Sequence, residues 1–235
     1  HCLAYAVSAA EEAADTKISQ VHVNLSAGSV RSSMLPVEMP LRGETIDDGH
    51  IKRLLGHARD SVVKHSQQTA DEPTRYAIHA IPLEFTVDGE RGIKDPRGMV
   101  GSSLGAPCHL ISASLSALQN LNRALENCHL SLSSITVSPI AAAQAALSDD
   151  EKDLGTTIID LGGGTTGMAI YQSGSPCYAE ILPVGGRHVT GDIANVLPTT
   201  LIHGERLKTS YGRAFVQPGD ERSIVEAPTA SDEAN

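Results

Sequence analysis

A carboxylate, three glycines and two threonines follow one another in the second half of the chain. The run is Ile159-Asp160-Leu161-Gly162-Gly163-Gly164-Thr165-Thr166, and apolar stretches precede and follow it. Successive glycines expose backbone N–H groups without a Cβ in the way, which suits a concave phosphate site. Asp160 is placed to hold a hydrated divalent cation beside that phosphate, since hard cations prefer carboxylates and water. The run is not a P-loop, because no Gly-Lys-Ser/Thr follows and a strand comes next.

The alternative is an ordinary glycine-rich hairpin in which Asp160 is a turn residue. Two later features favour the phosphate site. Gly185-Gly186 ends the next apolar run and precedes a predicted helix over 190–197, whose start could face the same anion. Glu205 and Lys208 lie three apart on another predicted helix and so share one face. There they could contact the ribose hydroxyls and the base or sugar of a nucleotide.

The elements that must position these residues alternate between strand and helix, which predicts an α/β fold. Pro36 and Pro40 make the strand-like stretch 34–41 an edge strand or irregular. The acidic run 148–151 is interpreted as a solvated connection, and the polar residues from Val216 onward as a mobile end. The remaining predictions are helices at 1–17, 47–64, 114–127 and 139–147, strands at 21–25, 76–81, 83–87, 104–113 and 135–137, and turns at 88–89 and 92–101.

Composition limits the partners. The 235 residues include 28 acidic and 18 basic side chains, a net charge of −10. This balance argues against nucleic acid and against an anionic membrane surface as default partners. A nucleotide remains possible, because backbone amides bind phosphate without basic side chains. The chain begins at His1, inside a predicted helix, so we expect it to be a piece of a longer protein.

Several motifs carry a family resemblance. The run 159–166 resembles the second phosphate motif of the superfamily that contains actin, the heat-shock chaperones and sugar kinases. The runs 183–194, 205–208 with Tyr211-Gly212, 92–99 and 119–121 are similar to the FtsA family of bacterial cell division proteins. The resemblance covers nearly the whole chain. It is specific, since generic actin-like proteins lack the Ile-Lys-Asp-Pro segment at 93–96.

The resemblance implies an α/β, actin-like (ribonuclease H-like) ATPase fold, incomplete here, with an inserted α+β 1C (SHS2-type) subdomain. Under this assignment the chain holds parts of four subdomains. They are 1A at 1–32 and 113–151, 1C at 33–112, 2A at 152–187, and 2B at 188–235. The family's first phosphate motif would precede His1, and its second adenosine motif would follow Asn235, so we expect the isolated chain to be inactive.

The resemblance also implies a site for ATP and Mg²⁺. Its phosphate-contacting residues would be Gly162, Gly163, Gly164, Thr165 and Thr166. Asp160 would be the catalytic residue, holding the metal through water. Gly185 and Gly186 would line the cleft, and Glu205 and Lys208 would contact ribose or adenine. Gly167 stands where relatives often have an acid, which implies slow hydrolysis at most.

By the same resemblance, the protein would polymerise into filaments at the division septum, on the inner face of the cytoplasmic membrane. It would tether FtsZ filaments there and recruit later divisome proteins. The membrane contact would be a C-terminal helix absent from this chain. Two alternatives stay open: a sugar kinase of the same superfamily, and a divisome scaffold that works without nucleotide. No clear general base for a kinase appears beside Asp160.

Overall fold

The computed structural model describes residues 2–26, 30–68, 73–222 and 224–228. The helices are α1 Cys2–Ala14, α2 Asp48–Gln68, α3 Leu115–Glu126, α4 Ser138–Ala146, α5 Asp149–Leu154, α6 Gly186–Val196 and α7 Leu201–Tyr211, with a 3₁₀ turn at Asp220–Arg222. The strands are β1 Gln20–Leu25, β2 Arg31–Pro40, β3 Arg75–Pro82, β4 Phe85–Val87, β5 Glu90–Ile93, β6 Ser103–Ser114, β7 Ser131–Val137, β8 Thr156–Leu161, β9 Thr166–Gln172 and β10 Ser175–Leu182.

The chain divides into two compact units. The first contains residues 1–160 and 167–181, and the second contains 161–166 and 182–235. All the elements from α1 to α5 belong to the first unit, together with most of β8, β9 and β10. The second unit contains the loop between β8 and β9, followed by α6 and α7.

A five-stranded antiparallel sheet in the first unit is organised around β6. This strand pairs with β2 along one side and with β3 and β4 along the other, and β5 pairs with β4. Helix α2 packs on the sheet through Leu54 and Ala58, which are both fully buried. The prolines of β2 are tolerated because β2 lies at the sheet edge, which confirms the edge-strand prediction.

A second core of the first unit lies beside a parallel pair, β1 and β7. Ile111 and Ala113 at the end of β6 extend into it, as does Tyr171 of β9. The buried side chain of His109 connects β6 with its neighbours. Its Nδ1–H donates to the carbonyl of Pro176 at 2.8 Å, and its Nε2 accepts from the hydroxyl of Ser32 at 2.5 Å.

The strands β8, β9 and β10 form a three-stranded sheet in the order β10-β9-β8. The strand–turn–strand prediction around the glycine run is therefore confirmed. The even-numbered residues of β8 are half-buried and the odd-numbered residues are exposed. Asp160 thus belongs to the half-buried set at the end of β8.

Three local predictions differ from the structure. The acidic run at 148–151 is not a simple connection but the start of α5, where Ser148 and Glu151 form a reciprocal capping box. A short strand, β5, was not predicted; it pairs with β4 across a turn in which Asp88 and Gly89 both have positive φ. Helix α6 begins at Gly186 rather than at 190. The predicted mobile end lies partly outside the described residues.

Candidate functional site

The glycine run forms the loop between β8 and β9. The N–H of Gly162 donates to the carbonyl of Thr165 at 2.9 Å and closes the turn. Gly163 and Gly164 are exposed, and a Cβ built at either would meet no atom within 4 Å. Among the described residues, the N–H groups of these two glycines donate no hydrogen bond. The loop therefore presents two unobstructed amides to solvent.

The second glycine pair fixes this loop in place. The N–H of Gly186 donates to the carbonyl of Gly162 at 3.0 Å, and the N–H of Arg187 donates to the carbonyl of Gly163 at 2.7 Å. A Cβ at Gly185 would lie 2.4 Å from the carbonyl oxygen of Gly162, so only glycine allows this approach. The first amides of α6 are thus used within the protein. That Gly185 and Gly186 line a nucleotide cleft stays a prediction.

The hydroxyls that follow the glycines differ in availability. Thr166 donates its hydroxyl to the carbonyl of Val184 at 2.7 Å. The hydroxyl of Thr165 makes no hydrogen bond among the described residues, and the same holds for the half-buried carboxylate of Asp160. Thr165 and Asp160 therefore retain free polar atoms on either side of the glycines, whereas Thr166 is committed to the protein.

Glu205 and Lys208 lie on one face of α7, as their spacing predicted, and their side chains meet at 2.7 Å. The ammonium of Lys208 also donates to the carbonyl of Gly186 at 3.1 Å and to the hydroxyl of Thr190 at 2.9 Å. Thr190 in turn donates to Oε2 of Glu205 at 2.5 Å. We call Glu205, Lys208, Thr190 and the Gly186 carbonyl the α6–α7 network.

Hydrogen bonds from Lys208 and then from Thr190 lower the pKa of Glu205, because both favour its ionised form. The three protons of Lys208 are all used within the α6–α7 network. In contrast, Oε1 of Glu205 accepts no hydrogen bond among the described residues, and half of this side chain is exposed. Glu205 therefore keeps one carboxylate oxygen without a partner among the described residues, while the ammonium of Lys208 is engaged within the network.

Two residues of this arrangement were missed in the sequence. Thr190 is buried at the centre of the α6–α7 network. Gly204 lets α7 approach α6, because a Cβ there would lie 2.9 Å from the carbonyl oxygen of Thr190. A glycine inside a helix costs roughly 0.5–1 kcal/mol relative to alanine. Its position next to Glu205 was the available signal of a close helix contact.

Gly167 is buried against the start of α4. A Cβ there would lie 3.0 Å from Cδ of Pro139, and the proline ring cannot move away as a flexible side chain would. A side chain at this position would therefore press on the Pro139 ring.

The described residues contain no group of three or more histidine, cysteine or acidic side chains that could hold a metal ion, and their cysteines are free.

Two family models match the chain. The model for "Cell division protein FtsA" matches residues 157–235, and the model for "SHS2 domain inserted in FTSA" matches residues 27–112. Together they cover more than half of the chain. The first match contains the glycine loop and the α6–α7 network, and the second contains α2 and the five-stranded sheet except for the last two residues of β6.

Curated relatives support the same assignment. The chain is 38% identical over 223 residues to the cell division protein FtsA of Rhizobium meliloti, covering 95% of this chain and 49% of the relative. It is 31% identical to that of Neisseria meningitidis serogroup B, covering 97% and 53%. The chain thus spans about half the length of the curated relatives it matches.

Among solved structures, the chain is similar to one in a PilM-PilN type IV pilus biogenesis complex. The TM-score is 0.61 at 21% identity, over 90% of this chain and 56% of the other. At that identity the likeness shows the fold alone, and the fold is actin-like with an inserted SHS2 domain. The chain belongs to the FtsA family of bacterial cell division proteins.

Proposed function

We propose that this chain contributes the second phosphate loop of an ATP site in an actin-like cell division protein. The observation that carries the proposal is the loop itself. Gly163 and Gly164 present bare, exposed amides, and Gly162 is bonded to the start of α6. Backbone amides in such a turn bind phosphate oxygens without basic side chains.

The residues present fit Mg-ATP. Gly162, Gly163, Gly164 and Thr165 would hold the β- and γ-phosphates, with Thr165 supplying a hydroxyl. Asp160 would accept hydrogen bonds from water on the metal, which neutralises phosphate charge when it is bound. The exposed Oε1 of Glu205 fits a ribose hydroxyl. The remaining predicted contacts, Thr166, Gly185, Gly186 and Lys208, would support the loop, since each is already bonded to or packed on it or on α6.

Hydrolysis in such a site would be slow. Attack on the γ-phosphate requires a group that orients water. The residue after the two threonines is Gly167, which packs on Pro139 and supplies no such group. Asp160 remains as the carboxylate nearest the loop in sequence.

In cell division the protein would polymerise into filaments at the septum, tether FtsZ filaments to the inner face of the cytoplasmic membrane, and recruit later divisome proteins. The FtsA family assignment supports this role. Residues 1–32 and 113–151 would form subdomain 1A, 33–112 subdomain 1C, 152–187 subdomain 2A, and 188–235 subdomain 2B. In the described part of the chain, no helix has the length and apolar character needed to cross a bilayer.

Amide chemical shifts recorded during a Mg-ATP titration test the nucleotide proposal. We expect the amides of Gly163, Gly164 and Thr165 to shift in a saturable way at millimolar ATP, with smaller changes when Mg²⁺ is omitted. The amide of Gly89, a glycine in the turn between β4 and β5, is the internal control. Shifts that are absent from the loop, or equal at the control glycine, would refute the proposal.

A scaffold that works without nucleotide is the second candidate. It is favoured by the α6–α7 network, in which Lys208 and the first amides of α6 are fully engaged without a ligand. The FtsA assignment argues against the sugar kinase alternative. Co-sedimentation with FtsZ polymers, with and without ATP, separates the two remaining candidates. Binding that is independent of ATP supports the scaffold.

A further inference from the structure

Two backbone carbonyls of the glycine loop are bonded to the start of α6. The carbonyl of Gly162 accepts from the N–H of Gly186 at 3.0 Å, and the carbonyl of Gly163 accepts from the N–H of Arg187 at 2.7 Å. In a planar trans peptide the C=O and the N–H point in opposite directions. Because α6 holds these two carbonyls, the N–H groups of the same two peptides, those of Gly163 and Gly164, point away from it. The start of α6 therefore sets the direction of the two amides that would meet a phosphate.

The first amides of α6 are not themselves available to an anion. Those of Gly186 and Arg187 donate to the loop, and the N–H of His188 donates to the carbonyl of Gly185 at 2.9 Å. A helix start usually attracts an anion through such amides and through the positive end of its dipole. Here the dipole remains, but any direct contact from the start of α6 to an anion has to come from a side chain.

Arg187 has the side chain that can make this contact. Its backbone nitrogen bonds the glycine loop, and both belong to the second compact unit. Its side chain is exposed, and its guanidinium has no hydrogen bond or ion pair among the described residues. Lys208 differs, because its ammonium lies 2.7 Å from the carboxylate of Glu205 and its charge is already matched. Arg187 is therefore an unpaired cation whose main chain is bonded to the loop.

The chemistry of a guanidinium suits a phosphate at this loop. Its planar set of N–H groups can donate to two phosphate oxygens at once, and its charge strengthens both bonds. Its long aliphatic stem lets the charged group extend beyond its own backbone. Gly163 and Gly164 have no side chains that could obstruct it. A phosphate tail gains from such a cation, because the loop amides are neutral and the whole chain carries a net charge of −10.

We propose that Arg187 is a phosphate-binding residue, whose guanidinium contacts the phosphate tail of a nucleotide held by the amides of Gly163 and Gly164. This inference rests on the nucleotide site proposed above, and it adds a residue that lies outside the glycine run and its threonines. Arg187 then has two roles in one site. Its backbone N–H orients the loop, and its side chain neutralises part of the charge that the loop binds.

Titrations of the 235-residue chain with Mg-ATP, followed at the amides of Gly163 and Gly164, test the proposal. Arg187→Gln removes the charge but keeps the backbone N–H that bonds the loop, and it should raise the Mg-ATP concentration for half-saturation about tenfold. Arg187→Lys restores the charge and should bind within about threefold of the unchanged chain. Arg206→Gln is the matched control and should change binding less than about twofold. Arg206 is exposed and unpaired among the described residues, on a groove between α7 and residues 224–228.

Inorganic tripolyphosphate, which has the phosphate tail without ribose or base, should lose affinity in Arg187→Gln by a similar factor. A loss confined to Mg-ATP would overturn the proposal, as would equal losses in Arg187→Gln and Arg206→Gln. If both loop amides still shift and Arg187→Gln binds Mg-ATP as tightly as the unchanged chain, the role of Arg187 is refuted while the nucleotide site stands. If the unchanged chain shows no shift at these amides, both proposals are refuted. If Arg187→Gln fails to fold, Arg187→Met replaces it with the same expectation.

Discussion

Replacing Gly185 with alanine tests how the glycine loop is held. Gly185 has extended backbone angles that any residue can adopt, so the substitution introduces no backbone strain of its own. The added Cβ, however, would lie 2.4 Å from the carbonyl oxygen of Gly162, 2.8 Å from the nitrogen of Thr165 and 2.9 Å from the carbonyl carbon of Gly163. All three are backbone atoms, so the contact cannot be relieved by a side-chain rotation.

The free-energy cost of Gly185→Ala follows from the separation of α6 from the glycine loop that the added Cβ requires. Separating the start of α6 from the loop stretches two hydrogen bonds, from Gly186 to Gly162 and from Arg187 to Gly163. Each bond contributes about 1 kcal/mol net, and overpacking adds about 1 kcal/mol or more. We therefore expect local opening at the start of α6 to become easier by about 2–3 kcal/mol, which corresponds to roughly 30- to 150-fold.

Amide hydrogen exchange measures this opening directly. The amides of Gly186 and Arg187 should exchange faster in Gly185→Ala by that factor, provided that exchange follows the opening equilibrium. Gly186→Ala is the matched control, because a Cβ there has its nearest contact at 3.5 Å, to Nζ of Lys208. Equal protection of Arg187 in the two variants would show that the loop is not held by close approach at Gly185.

Three other predictions concern stability. Glu205 has a pKa lowered below its ordinary 4.5, so the stability that it contributes is present above that value and is lost as the pH falls through the lowered pKa. Glu205→Gln should therefore reduce the loss of amide-exchange protection in α6 and α7 at acidic pH. An unchanged loss of protection would contradict the network. Gly167→Ala should lower the free energy of unfolding, measured in urea, by about 1–3 kcal/mol, because the added Cβ meets the ring of Pro139. A change within about 0.5 kcal/mol would count against that contact. Burial lowers the pKa of His109 below its ordinary 6.5, so stability should decline as the pH falls from that value towards the lowered pKa. His109→Gln should reduce the slope of melting temperature against pH in this range. A slope identical to that of the unchanged chain would mean that His109 does not titrate this way.

The sequence predicted those helices and strands that are determined by residues close together in the chain. The three glycines between two apolar runs predicted the strand, turn and strand of β8 and β9, and the two prolines limited β2 to an edge strand or an irregular stretch. The capping pattern of Ser148 and Glu151 indicates a helix start, but the acidic run that contains it also fits a solvated connection. Strand β5 is only four residues long, too short for its period to stand out.

The parts of the site that were missed depend on contacts between elements. Helix α6 begins at Gly186 without a side-chain cap, because its first amides bond the loop carbonyls instead. Thr190 becomes the centre of the α6–α7 network only when α7 packs closely at Gly204. The first arrangement has no signature in the spacing of nearby residues, and the only sign of the second is a glycine, Gly204, inside a helix next to Glu205. The spacing of Glu205 and Lys208 predicted their shared face but not the partner between them.

A pair of substitutions at Gly164 tests the phosphate loop most directly. A Cβ there meets no atom within 4 Å and φ is not positive, so both Gly164→Asp and Gly164→Asn should leave the loop folded. The two side chains have nearly the same shape and differ in charge. If the loop binds phosphate, Mg-ATP should still shift the amides of Gly163 and Thr165 in the asparagine variant, and the aspartate variant should need about tenfold more ATP or fail to respond. Equal responses of the two variants to Mg-ATP would contradict phosphate binding at this loop.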